Sequence, residues 1–128
     1  MFGMSLEEVR PGFARIAMAT NRLTGGQGSG AEAGGIGGSV HGGLLAFLLD
    51  VAVVEAVFAM LEPGDQPAGT ADINLTYMRP SLGERVVAEA EVLRKGRQLL
   101  VVEITIRDGQ GRLCAKGRAL YALRARGS

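Results

Sequence analysis

Two kinds of hydrophobic pattern divide the chain. From Gly42 to Leu61 it reads GGLLAFLLDVAVVEAVFAML, a run without strict alternation and too long for one strand, so it predicts a helix. Ala, Leu, Phe and Met favour that state, while Val51, Val53, Val54 and Val57 favour it less. A helix apolar nearly all round must be enclosed on most sides. Glu62-Pro63-Gly64-Asp65 closes it. Elsewhere the pattern has a period of two. Ala14, Ile16 and Met18 alternate with Arg15, Ala17 and Ala19, as in a half-buried strand. In TADINLTYM, Ile73, Leu75 and Tyr77 share one face and Asp72, Asn74 and Thr76 the other. Val86, Ala88, Ala90 and Val92 alternate with Val87, Glu89 and Glu91; Leu100, Val102, Ile104 and Ile106 follow the same rule. A last strand runs from Leu113 to about Leu123 with weaker alternation. Arg79 to Gly83, the basic Arg94-Lys95-Gly96-Arg97 and Asp108-Gly109-Gln110-Gly111 read as the connections.

The remaining segments carry less pattern. Residues 5–10 predict a short helical turn, with Ser5 as cap and Glu8 three residues on. Pro11 and Gly12 end it. Residues 21–40 form a glycine-dense loop with little that could pack, part of it expected to be mobile. The order is then strand, loop, one long buried helix and four strands. A five-stranded antiparallel sheet wrapped around one central helix satisfies the helix's need for cover, which makes an α+β fold of two layers in a single domain over residues 1–128. The outer face of that sheet is expected to carry Val, Leu and Ala, which a second subunit could cover.

Composition narrows the function classes. With 47% apolar and 21% charged residues the chain is ordinary for a folded domain. A net charge of +1 gives no support to a nucleic-acid partner. Cys114 is the only cysteine and His41 the only histidine, so neither an internal disulfide nor a metal site is expected. Asp50 and Glu55 interrupt the long apolar run, and each is costly at mid-membrane, so no membrane partner is expected. The start, MFGMSLEEVR, carries acids early and lacks an apolar run behind a basic start. It does not read as a secretory signal, and the cytoplasm is the expected compartment.

HGGLLAFLLD at 41–50 resembles the His-Gly-Gly…Asp signature of hotdog-fold acyl-CoA thioesterases of the phenylacetate-pathway and mammalian thioesterase-superfamily type. TADINLTYMRP at 70–80 resembles the strand that follows in that family, and KGRQLLVVEITIRDGQGRLCAKG at 95–117 its closing hairpin. The likeness covers nearly all of the chain outside residues 21–38. It implies a hotdog fold, hydrolysis of an acyl-CoA to acid and CoA, no separate cofactor, and a homodimer or a tetramer built from dimers. It also implies roles. Asp50 becomes the carboxylate acting as general base or nucleophile, and the Gly42 amide the donor to the thioester carbonyl oxygen. His41 supports that end of the site, and Thr70 is the hydroxyl that helps place the water. The family's Asn, six residues before the histidine, is Gly35 here; Asn21 or Ser39 are the candidates to replace it.

The residues support this chemistry on their own terms. Gly42 and Gly43 open the helix, where first-turn N–H groups lack intrahelical partners and the dipole favours negative charge. Such donors stabilise a carbonyl oxygen under attack, and glycine gives an acyl group close access. A tight helix start alone would also explain them. A carboxylate between Leu49 and Val51 needs either a partner or a task. Gly42 and Asp50 are about 12 Å apart along a helix rising about 1.5 Å per residue. One carbonyl cannot meet both, but two antiparallel helices in a two-fold dimer bring one chain's Gly42 to the other's Asp50. Arg94, Lys95 and Arg97 would suit the phosphates of coenzyme A, although a solvated hairpin end explains them as well. Cys114 reads as a packed residue, and Glu55 as a residue on another helix side. Two further functions fit the pattern: a non-catalytic acyl-ligand binder, which Gly35 would favour, and a hydratase pairing His41 with Asp50 or Glu55.

Overall fold

The computed structural model describes residues 4–19 and 42–124, with side chains from Leu45 onward in the helix. The elements are β1 (Met4–Arg10), β2 (Phe13–Ala19), α1 (Gly42–Phe58), β3 (Gln66–Tyr77), β4 (Arg85–Lys95), β5 (Leu99–Asp108) and β6 (Leu113–Arg124). One antiparallel sheet has the order β1-β2-β4-β5-β6-β3. It carries six strands where the sequence pattern predicts five.

The additional strand is the segment expected to be a helical turn. Six residues are too few for a helix to hold itself in water, whereas β2 offers a ladder. Met4 pairs with Met18, Leu6 with Ile16 and Arg10 with Phe13. Glu8 meets Arg10 and Arg15, and Arg15 also reaches Glu89 on β4 at 2.7 Å. Gly12, at φ +80°, makes the hairpin turn. The turn is docked as well, because Gly12 N–H donates to the Ala56 carbonyl and Val92 N–H donates to the Gly12 carbonyl.

The inner face of the sheet follows the alternation of the sequence. Val86, Ala88, Ala90, Leu100, Val102, Ile104 and Ile106 are all fully buried. They meet Leu45, Leu48, Leu49, Ala52, Val53, Ala56 and Val57 of α1. Full burial of a Leu or Val is worth about 1.5–3 kcal/mol, so this interface accounts for much of the fold's stability. The outer face is more polar than expected. Glu89 takes the Arg15 bond, Lys116 donates to Thr105 at 2.8 Å, and Lys116 lies 3.6 Å from Glu103. These charged positions interrupt the Val and Leu of the outer face.

Among the described residues, strand β3 is an edge strand held only by β6. Its start at Gln66, four residues before the predicted one, is hidden in the sequence by Pro67 and Gly69, and both are tolerated at an edge. Two register shifts interrupt its pairing with β6, one between Pro67 and Gly69 and one between Thr70 and Asp72. Gly117 sets how closely the two strands approach. A Cβ there would lie 2.3 Å from the Asn74 carbonyl oxygen and 3.1 Å from Leu75 Cα. Backbone cannot rotate away as a side chain can. Gly117→Ala is expected to lower the unfolding free energy by about 1–3 kcal/mol, measured by urea denaturation, with a matching loss of hydrogen-exchange protection along β3. Unchanged protection along β3 would contradict this account of the contact.

Candidate active site

One side of α1 faces the sheet; the opposite side carries Phe47, Asp50, Val51, Val54 and Phe58 at helical spacing. Phe47 and Phe58 are 39% and 51% exposed, so this stripe is apolar and open, with one half-buried carboxylate in its midst. The carboxylate has a partner. Asp50 Oδ1 accepts a 2.9 Å hydrogen bond from the Thr70 hydroxyl. The two residues, twenty apart in the chain, line one open depression with Ala46, Phe47, Ala71, Asp72 and Ile73.

Thr70 reaches Asp50 because the strand is irregular there. Strict alternation would place Thr70 on the face of Asp72, Asn74 and Thr76, away from the helix. The shift between Thr70 and Asp72 leaves Ala71 as the extra residue of a β-bulge, and a bulge re-aims the side chains on either side of it. Thr70 therefore pairs with the inward-facing Tyr121, while Asp72 pairs with Leu120. Gly69, at φ +120°, precedes the bulge with open space around its α-carbon.

Tyr121 carries no motif that marks it in the sequence. It is 4% exposed and meets Phe58 edge to face, with centroids 6.2 Å apart and an interplanar angle of 86°. Burial first, and then the charge of Asp50, push its phenol above the ordinary tyrosine value. The available signal was a tyrosine on the inner face of a strand whose other inner residues are small or aliphatic.

Gly42 is the first residue of α1 and Gly43 the second, so their amides belong to the donor-rich first turn. Eight residues of helix, about 12 Å, separate Gly42 from Asp50. His41, Gly35, Asn21, Ser39 and the glycine-rich loop lie outside the described residues. Arg94, Lys95 and Arg97 line a cleft with Glu62, Asp65, Gly96 and Gln98. Within it, Lys95 Nζ is 2.6 Å from Asp65 and 3.4 Å from Glu62, and the Asp65 bond is the main cause that raises its pKa. The positive charge of Lys95 is thus matched within the protein, whereas Arg94 and Arg97 are exposed. Glu55 is half-buried on α1 and does not meet Asp50 or Thr70 through a hydrogen bond.

Cys114 is buried, and burial, followed by the charge of Asp108, pushes its thiol up. A thiol is a poor nucleophile until it ionises. The native protein is expected to react with a disulfide reagent at least about 100-fold more slowly than the urea-unfolded chain; equal rates would show that Cys114 is accessible.

The Thioesterase superfamily profile matches residues 37–115. A Saccharolobus solfataricus protein, named provisionally as an esterase, is 30% identical over 122 residues, or 94% of this chain and 73% of its own length. The medium/long-chain acyl-CoA thioesterase YigI of Escherichia coli is 28% identical over 131 residues, covering 93% of this chain and 80% of its own. Zebrafish thioesterase superfamily member 2 superposes with a TM-score of 0.76 at 27% identity, covering 95% of this chain and 82% of its own. The BH2602 protein of Bacillus halodurans, solved with CoA, superposes at 0.72 with 26% identity, covering 86% of this chain and 66% of its own.

Proposed function

Given that the chain belongs to the thioesterase superfamily and is a thioester hydrolase, we propose that it cleaves an acyl- or aryl-coenzyme A at Asp50. The observation that carries this reading is the Thr70–Asp50 hydrogen bond at the mouth of an open depression. The bond fixes one carboxylate oxygen and leaves the other for a water molecule. Asp50 takes a proton from that water as its oxygen attacks the thioester carbon. The carbon–sulfur bond breaks, the coenzyme A thiolate takes a proton, and the acid departs. The same carboxylate could instead attack the carbon directly, and water would then hydrolyse the resulting anhydride. In both routes negative charge develops on the carbonyl oxygen, which the Gly42 amide receives at the helix start.

This site requires two chains. Gly42 and Asp50 of one helix are too far apart for a single carbonyl, whereas an antiparallel partner helix supplies the missing half. The apolar stripe of Phe47, Val51, Val54 and Phe58 and the edge of β3 that no described strand pairs with are the surfaces such a partner would cover. The Arg94, Lys95 and Arg97 cleft adjoins Glu62 and Asp65, just past the far end of α1, about 25 Å from Gly42 by helix length. Antiparallel pairing therefore brings one chain's cleft toward the other chain's Gly42. Coenzyme A phosphates would lie on Arg94 and Arg97, with Gly43 giving the acyl end room. Two such dimers could form a tetramer.

The acyl group is tested by thiol release from a panel: phenylacetyl-, hydroxyphenylacetyl-, 4-hydroxybenzoyl-, butyryl-, hexanoyl- and decanoyl-CoA. Release from at least one member is expected, with specific activity falling on dilution as the dimer dissociates. A rate independent of dilution in a chain shown by sedimentation to be monomeric would remove the shared-site reading. A chain that bound these thioesters without releasing thiol would be an acyl-CoA binding protein instead.

A further inference from the structure

We propose that Tyr121 is a positioning residue of this site: its phenol hydroxyl holds the attacking water beside Asp50, opposite the Thr70 bond. The inference rests on the Asp50 reading above and adds a group that the family resemblance does not supply.

Three observations lead to it. The first is register. Tyr121 lies directly across the β3–β6 ladder from Thr70, and opposed residues in such a ladder have α-carbons about 4.5–5.5 Å apart. The bulge that turns Thr70 inward therefore also sets it beside Tyr121, with both on the helix-facing side. The second is the ring's seat. Its edge-to-face contact with Phe58 seats the ring against α1 about two turns beyond Asp50, still within reach of the Asp50 charge.

The third is the state of the hydroxyl. Tyr121 is 96% buried by its 4% exposure, yet its oxygen has no hydrogen bond among the described residues. Buried phenols usually find a partner. No fully buried side-chain oxygen among the described residues lacks a partner, so this oxygen keeps a narrow contact with solvent. A phenol can donate to a water and accept from it. The raised pKa keeps it a neutral donor across the working range, so it does not compete with Asp50 for the water's proton. A water between an unpartnered donor and a carboxylate held on its other side by Thr70 has its orientation set from two directions.

The test compares wild type, Tyr121→Phe and Asp50→Asn by steady-state thiol release on the preferred thioester. Phenylalanine keeps the ring and its contact with Phe58, and removes only the oxygen. The expected result for Tyr121→Phe is a kcat lower by on the order of 30-fold, KM within about twofold and an unchanged thermal midpoint. A misplaced reactant can cost about a hundredfold. A residue that served only for packing would leave kcat alone in this substitution. Full activity in Tyr121→Phe beside an inactive Asp50→Asn overturns the role of Tyr121 and leaves Asp50 standing. A raised KM at constant kcat also overturns it, because the phenol would then contact substrate rather than water. Wild-type rates in Asp50→Asn defeat the catalytic reading and this proposal together.

Discussion

Asp50→Asn is expected to lower kcat about 1,000-fold while KM stays within a few-fold and the protein remains at least as stable. General-base assistance contributes about 100- to 10,000-fold in enzymes, and a nucleophilic role would cost as much or more. Asparagine is nearly isosteric, and its carbonyl can still accept the Thr70 hydroxyl, so the bond that closes β3 on α1 survives. What it cannot do is take a proton or form an acyl intermediate. Stability separates function from structure here. Asp50 stands among Phe47, Val51 and Val54 on an apolar stripe, a place where a carboxylate is a burden on the fold. Its removal should not weaken the fold, as expected of a group retained for activity. Thr70→Val provides the graded comparison, keeping volume and removing the donor; a kcat reduced about tenfold is expected, the scale of one net hydrogen bond. The assay is stopped-time thiol titration, for which the buried Cys114 contributes little background. Retention of more than a tenth of wild-type kcat by Asp50→Asn would sink the assignment.

The parts of this molecule legible in the sequence are those where burial alone dictates the residue. Leu100, Val102, Ile104 and Ile106 must be apolar because they face the helix, and the helix must be apolar because the sheet covers it. The alternation and the long run from Leu44 record those two facts. The parts not legible depend on chain geometry that burial does not encode. Nothing in Thr70-Ala71-Asp72 announces a bulge, since alanine is acceptable in a regular strand and in a bulge alike. Yet that one extra residue decides whether the threonine faces water or Asp50. The first strand is hidden in the sequence for a related reason. Ser5 and Glu8 match a helix start, but a segment of six residues is too short to hold a helix by itself and takes the ladder that β2 offers.

The candidate site was legible to different depths. Asp50 stood out because a lone carboxylate in a run of Leu and Val is expensive. Gly42 stood out because glycines at a helix start leave donors free. Thr70 comes only through resemblance; in the fold its hydroxyl donates to Asp50 at 2.9 Å. Tyr121 gave no sequence signal strong enough to select it, because inner strand positions accept aromatic residues for packing alone. Its register with Thr70 exists only after folding.

Asp108 shows the same limit in a structural role, and its removal is expected to be the most destabilising polar substitution in the described chain. The sequence marks it only as the first residue of a hairpin turn. In the fold it is 3% exposed and accepts from the amides of Gln110 and Arg112 and, across the sheet edge, of Leu82. The Arg112 guanidinium closes on it at 2.9 Å. The β5–β6 turn is thereby tied to the connection before β4. The approach is close, since a Cβ on Gly83 would lie 3.1 Å from the Gly109 α-carbon. Burial alone would raise the carboxyl's pKa, but the three amides and Arg112 outweigh it and hold Asp108 at about 2. A folded-state pKa below the unfolded value stabilises the fold above the unfolded pKa, about 3.9. That contribution fades as pH falls toward 2. A depression of this size corresponds to roughly 2–3 kcal/mol. Asp108→Asn should therefore cost about 3 kcal/mol at pH 7, because an amide group would face donors that a carboxylate accepts. The gap between variant and wild type should narrow between pH 4 and pH 2, as the wild type loses the same charge. Arg112→Met, which removes a half-exposed partner, should cost only about 1 kcal/mol. Urea denaturation across pH checks all three, and a variant whose deficit stayed constant down to pH 2 would show that the charge of Asp108 is not what holds the two turns together.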